Sequence, residues 1–170
     1  MTQRITILGI GNLLLKDEGL GIHALKTLEE RYDFPPQVRL VDGGVLGLGL
    51  LSVLSESEFL IVLDAVKNGE RPGTVYRIDE KEIPTRIRAK NSLHQIDFLE
   101  TLAASELIGK RPKCTILGIE PKDIESVDIE LSPEVADAME ELIGLVILEL
   151  HNRGIVPMEK PSCALQSPQR

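Results

Sequence analysis

Residues 4–28 read RITILGIGNLLLKDEGLGIHALKTL, and the order of apolar, glycine and acidic positions in this stretch decides the fold. From Arg4 to Ile10 the chain is short, apolar and rich in β-branched residues, and it stops at Gly9-Ile10-Gly11-Asn12. Leu20, Ala24, Leu25 and Leu28 then recur at helical spacing. The stretch therefore predicts a strand, a glycine-bearing loop that ends in Asp17-Glu18, and a helix. Downstream the same alternation repeats. Pro35-Pro36 breaks the chain before a second strand, Val38 to Val41, which runs into Asp42-Gly43-Gly44. A helix from about 47 to 54 follows, weakened by Gly47 and Gly49.

Phe59-Leu60-Ile61-Val62-Leu63 is a continuous apolar run ending in Asp64, the pattern of a strand covered on both faces, and it predicts the centre of a parallel sheet. Gly69 to Gly73 reads as a turn. Thr74 to Ile78 then alternates apolar and polar, as an antiparallel strand near an edge would. Ser92 and Gln95 form a capping-box signature that opens a helix to about Ile108, with His94 in its first turn. Cys114 to Ile119 is the last strand, and Ser132-Pro133-Glu134 starts a long helix that ends near Asn152, before Gly154.

This order predicts an α/β three-layer sandwich of phosphorylase/hydrolase-like type, with a five-stranded, mostly parallel twisted sheet and helices on both faces. One domain spans 1–155. Residues 156–170 are rich in Pro and Ser and predict a disordered tail.

Composition bounds the function. A chain of 170 residues buries about 70% of its unfolded surface as a single domain. Hydrophobic residues at 42% and charged residues at 27% describe an ordinary soluble protein, and aromatics at 3% require an aliphatic core. A net charge of −8 with scattered Lys and Arg argues against nucleic acid, whose phosphates need clustered cations. No run approaches the ~20 apolar residues of a membrane span, and the start passes directly into a strand without a cleavage pattern. A cytoplasmic protein with no membrane partner is expected. Cys114 and Cys163 suggest neither a disulfide nor a CxxC metal site, and both read as reduced and structural.

In such a sheet the loops at the carboxyl ends of the strands build the site. Asp17-Glu18, Asp42 and Asp64 follow or end three strands there, and His94 begins a helix on the same edge. Two carboxylates and a neutral imidazole suit a divalent ion such as Ni, Zn or Mn. The helix N-termini would keep Glu18 ionised and His94 neutral. Each residue also has a local reading: Asp64 as a turn cap, Asp17-Glu18 as a helix-start cap, and His94 as a partly buried first-turn residue. His23 and His151 lie within helices away from this edge. Gly9-Ile10-Gly11 begins like a dinucleotide fingerprint, but Leu14 stands where a third small residue belongs, and Asp42 lies about 30 residues on rather than ~20. GxSxG, HExxH and Walker patterns are absent.

Five blocks, Gly9-Ile10-Gly11-Asn12 with Asp17-Glu18-Gly19 and Gly21, Asp42-Gly43-Gly44 with Gly47, Leu63-Asp64-Ala65, Leu93-His94-Gln95 and Gly118-Ile119-Glu120-Pro121, together resemble the hydrogenase maturation endopeptidases. These enzymes trim the large subunit of [NiFe] hydrogenases, and the resemblance covers about residues 4 to 152. It implies that Glu18, Asp64 and His94 bind nickel that arrives within the precursor, with Zn or Cd able to replace it in the isolated protein. It further implies removal of a carboxyl-terminal extension, with Asp42 as a secondary catalytic residue that accepts a proton. The partner is then the precursor of the large subunit, and an open cleft that receives so large a protein suits a monomer. Val45 departs from the Thr that family members often carry. Two other readings of the residues stay open: a nucleotide-dependent oxidoreductase built on the Gly9-Gly11 loop, and a nickel-checking chaperone that grips without cutting.

Overall fold

In a computed structural model, residues 3–44, 49–83 and 93–161 are described, the side chains of 93–97 excepted. The opening stretch forms β1 (Ile5–Ile10), buried at every position. Parallel neighbours pair with it on both sides, β3 (Val38–Gly44) and β4 (Phe59–Ala65), and helices on both faces of the sheet bury its side chains. On the far side of β4 lies β6 (Lys113–Ile119), also parallel, and β5 (Val75–Asp79) closes that edge antiparallel to β6. The sheet order is β3-β1-β4-β6-β5, with β4 in the centre as its uninterrupted apolar run predicts.

Helices α1 (Leu20–Arg31) and α4 (Pro133–His151) cover one face, and α2 (Leu50–Glu56) and α3 (Leu93–Leu107) the other. On the first face Ile7, Ile61 and Leu117 of the sheet pack with Leu20, Leu28, Leu142 and Val146. On the second, Leu8, Leu60, Val62 and Ile116 pack with Leu50, Leu54, Phe98 and Leu102. Each such leucine or isoleucine contributes about 1.5–3 kcal/mol by leaving water, so two aliphatic layers suffice without aromatics. Arg153 caps the lower end of the sheet, its guanidinium 3.5 Å from the centre of the Phe59 ring. No helix among the described residues is long and apolar enough to cross a membrane.

Some boundaries differ from expectation. The second helix is Leu50–Glu56, with Gly49 as its N-cap; Val45 and Gly47 lie outside the described residues. Ser92 of the capping box also lies outside them. Residues 156–161, placed in the tail by composition, carry a two-residue strand β7 (Met158–Glu159) paired antiparallel with β2 (Tyr32–Asp33). Lys160 N–H donates to the Arg31 carbonyl at 2.8 Å, and Ile155 and Pro157 are buried. A short backbone ladder and two apolar side chains fasten a segment whose composition alone could not build a core. Residues 162–170, with Cys163, lie outside the described set.

Candidate active site

From β1 the chain passes through α1 to β3 on one side, and from β4 it passes to β5 and β6 on the other, so the carboxyl ends of β1 and β4 form a switch point, where such sheets place their sites. The loop after β1 ends in a 3₁₀ turn, Lys16–Gly19, that carries Glu18 half-buried. Gly11 makes this possible: it has φ +126°, and a Cβ there would fall on the Glu18 carbonyl. At Gly21 a Cβ would strike the carbonyls of both Ile10 and Leu63, so only glycine lets the start of α1 rest on β1 and β4 together. The space beside Gly9 is likewise filled, by the Gly21 carbonyl and Leu25. These glycines serve the close approach of the loop and α1 to the sheet.

Asp17, the neighbour of Glu18, is fully buried and does not cap α1. Its carboxylate accepts the N–H groups of Lys122 (2.9 Å), Asp123 (2.9 Å) and Ser132 (2.7 Å) and the Ser132 hydroxyl (2.8 Å). Backbone bonds add to this join: Asp17 N–H to Asp123 O (3.0 Å), Lys16 N–H to Asp128 O (2.7 Å) and Asp128 N–H to Leu14 O (3.0 Å). The loops after β1 and β6 are thereby fused into one frame that fixes the turn bearing Glu18.

Asp64 is the penultimate residue of β4 and is buried, 5% exposed. By alternation with Leu60 and Val62 it lies on the α2/α3 face. Its partner in β6 is Gly118, where a Cβ would sit 2.6 Å from the Asp64 carbonyl oxygen, so a side chain there would push the two strands apart. Gly9 pairs with Asp42 on one side and Leu63 on the other, which places Asp42 two strand spacings, about 10 Å, from Asp64. Asp42 alternates with Val38 and Leu40, so it shares the edge with Asp64 but faces the α1 side. It is exposed, and its carboxylate accepts Gly44 N–H at 2.9 Å.

His94 is the second residue of α3, and its side chain is outside the described residues. The end of α3 precedes β6 at the amino edge, its start lies about 22 Å from there at 1.5 Å per residue, and Phe98 and Leu102 pack it on the face of Asp64. Among the described residues no three His, Cys, Asp or Glu side chains gather to hold an ion. Carboxylates such as those of Glu18 and Asp64 are oxygen donors that a borderline divalent ion accepts, and an imidazole is a nitrogen donor of matching kind.

Sequence reasoning assigned no role to Glu120. It is buried after β6 and accepts Asn68 N–H (2.6 Å), Gly69 N–H (3.0 Å) and the Tyr76 hydroxyl (2.6 Å). It thereby pins the loop that leaves Asp64, and burial together with its negative charge raises the Tyr76 pKa. The Gly118-Ile119-Glu120-Pro121 block was the signal in the sequence, but a partner 52 residues away is invisible in one block. The Cys114 thiol is buried in β6 and pushed up to about 12 by desolvation, which leaves it a structural residue. His23 also serves structure, its Nε2–H donating to the Ile129 carbonyl at 2.9 Å.

A family model described as hydrogenase maturation protease matches residues 22–149. The hydrogenase expression/formation protein HupD of Rhodobacter capsulatus is 39% identical over 90% of this chain and 74% of its own length. The hydrogenase 2 maturation protease of Escherichia coli K12 is 34% identical over 92% of this chain and 98% of its own. Among solved structures, the hydrogenase maturating endopeptidase HybD from E. coli superposes with a TM-score of 0.88 at 33% identity, covering 92% of this chain and 98% of that one. The protein is an endopeptidase built on a three-layer α/β fold. It belongs to the hydrogenase maturation protease family.

Proposed function

We propose that this endopeptidase removes the carboxyl-terminal extension from the nickel-loaded precursor of a [NiFe] hydrogenase large subunit, and that nickel enters the site as part of the substrate. One observation carries the reading: the turn bearing Glu18 and the strand end bearing Asp64 meet at the β1/β4 switch point, on whose α3 side the helix of His94 begins. The relative from E. coli, named a hydrogenase 2 maturation protease, supports a hydrogenase subunit as the substrate.

In this reading Glu18, Asp64 and His94 hold the nickel, and Zn or Cd takes the same ligands in the isolated protein. Only a loaded precursor gains these bonds, so an empty one lacks much of the binding free energy and stays uncut. A bound divalent ion also supplies Lewis acidity towards a scissile carbonyl. Asp42, about 10 Å from Asp64 on the other face, lies beyond a shared coordination sphere and faces the segment to be cut. Its carboxylate takes the proton of the water that adds to the carbonyl and passes it to the amine released when the C–N bond breaks. The open carboxyl edge receives a large folded partner, which suits a cytoplasmic monomer.

Incubation with nickel-loaded and nickel-free precursor side by side, read by mass spectrometry, tests this. Release is expected from the loaded precursor alone. Asp64→Asn and His94→Ala should abolish it without shifting the unfolding midpoint by more than about 3 °C. Normal cleavage by both variants would remove the site, and binding without release would make the chain a nickel-checking chaperone.

A further inference from the structure

Among the described residues, the large apolar side chains most exposed at the carboxyl end of the sheet are Leu14 (61%), Val127 (85%) and Ile129 (59%). They belong to the two fused loops. Leu15 and Asp128 form a parallel bridge, and residues that flank a bridged pair point to the opposite side from it, so Leu14, Val127 and Ile129 share one face. The frame beneath them is stiff: Asp128 N–H is bonded to Leu14 O, Lys16 N–H to Asp128 O, and the buried Asp17 ties both loops to Ser132. Exposed apolar side chains held on a rigid frame lose little entropy when a partner covers them, and three on one face mark a contact surface. Acidic Glu125 and Glu130 stand exposed in the same loop.

We propose that Leu14, Val127 and Ile129 form the surface on which the body of the precursor docks, through an apolar segment flanked by basic residues; this rests on the functional reading above. Continuity argues for that occupant. Leu14 lies four residues before Glu18 in one fixed loop, so a protein engaged at Glu18 lies against this face. A second copy of the chain fits poorly, because it would bring the same acidic loop and another net charge of −8 to the contact. The surface holds the substrate body and leaves bond cleavage to the site, so its loss raises KM and spares kcat.

The test is steady-state cleavage of nickel-loaded precursor by the full chain and by the triple variant Leu14→Ser, Val127→Ser, Ile129→Ser. KM is expected to rise about tenfold or more with kcat within about twofold, as loss of a small apolar hot spot does. The apolar exchange Leu14→Met with Val127→Ile should keep KM nearly normal, and an unfolding midpoint of the triple variant within about 3 °C of the parent's separates lost docking from a folding defect in the loops. Glu125→Gln with Glu130→Gln should flatten the salt dependence of kcat/KM. An unchanged KM in the triple variant overturns the docking surface while the functional reading stands. If the unmodified chain cuts nothing, both fall. A concentration-dependent dimer that the triple variant abolishes, with KM unaltered, assigns the face to a second copy and overturns the proposal.

Discussion

At the carboxyl rim of the sheet, the carboxylates of Asp17, Glu120, Asp42 and Asp123 take hydrogen bonds from backbone N–H groups. At the amino rim, Glu56 faces Arg39 (2.8 Å), Glu106 and Glu80 face Arg111 (2.6 and 3.5 Å), and Glu58 faces Arg4 (3.8 Å) with the Arg4 N–H added. The difference is mechanical. A backbone N–H cannot swing away, so a carboxylate that collects several of them stitches distant loops into one body. An arginine on a flexible stem in water gains little from its pair and costs little when it leaves. Asp17 and Glu120 hold the loops around Glu18 and Asp64 by the first kind of bond, whereas the arginine pairs of Glu56, Glu80 and Glu106 at the amino rim are of the second kind.

The largest effect expected from breaking this contrast is at Asp17. Asp17→Ala leaves the N–H groups of Lys122, Asp123 and Ser132 without an acceptor inside the protein. It should cost about 3–5 kcal/mol in urea unfolding and abolish cleavage with it. Asp17→Asn should fall between, since it keeps one acceptor oxygen but turns an NH₂ group against donors. A loss under about 1 kcal/mol for the alanine variant would show that the fused loops do not depend on this residue.

A subtler effect concerns acid. The Ser126 hydroxyl and the N–H groups of Ser126 and Glu125 stabilise the ionised Asp123, lowering its pKa from 3.8 to about 2. Because the folded value lies below the ordinary one, this contribution is complete above pH 3.8 and disappears as the pH falls through about 2. Amide NMR shifts of Glu125 and Ser126 should therefore hold steady down to about pH 4 and move between there and pH 2. Asp123→Asn should remove that movement, and persistence of it would place the titrating group elsewhere.

The smallest effects belong to the amino rim. Arg4→Ala and Arg111→Ala should each change stability by no more than about 0.5 kcal/mol and leave cleavage kinetics as they were. A loss of more than about 2 kcal/mol at either would erase the distinction between the rims.

The central and edge strands could be read because each announced its environment. Phe59 to Leu63 had no polar residue to spare for a solvent face, which marked it as central, while the alternation of Thr74 to Ile78 marked an edge. Asp64 and Asp42 could be placed at one edge because each stands at the carboxyl end of such a run. Their separation onto opposite faces depends on register, which the two runs considered apart do not contain. Asp17 was misjudged for a related reason. An acid just before a helix is ordinarily its cap, and only the approach of the 121–132 loop makes it an anchor for another part of the chain.

Periodicity and spacing, which concern residues within a few turns of each other, were enough to specify the sandwich, the central strand, the antiparallel edge and the motifs that resemble the family. The tertiary structure alone decided which acid is an anchor, which acids lie on opposite faces of the sheet, and how an apolar face is built from two loops. Asp17 finds its hydrogen-bond partners 105 to 115 positions away, and a contact over that distance is set by how the sheet folds up. No local pattern can encode it, because the same acid, glycine and leucine would read alike whether or not the second loop arrived.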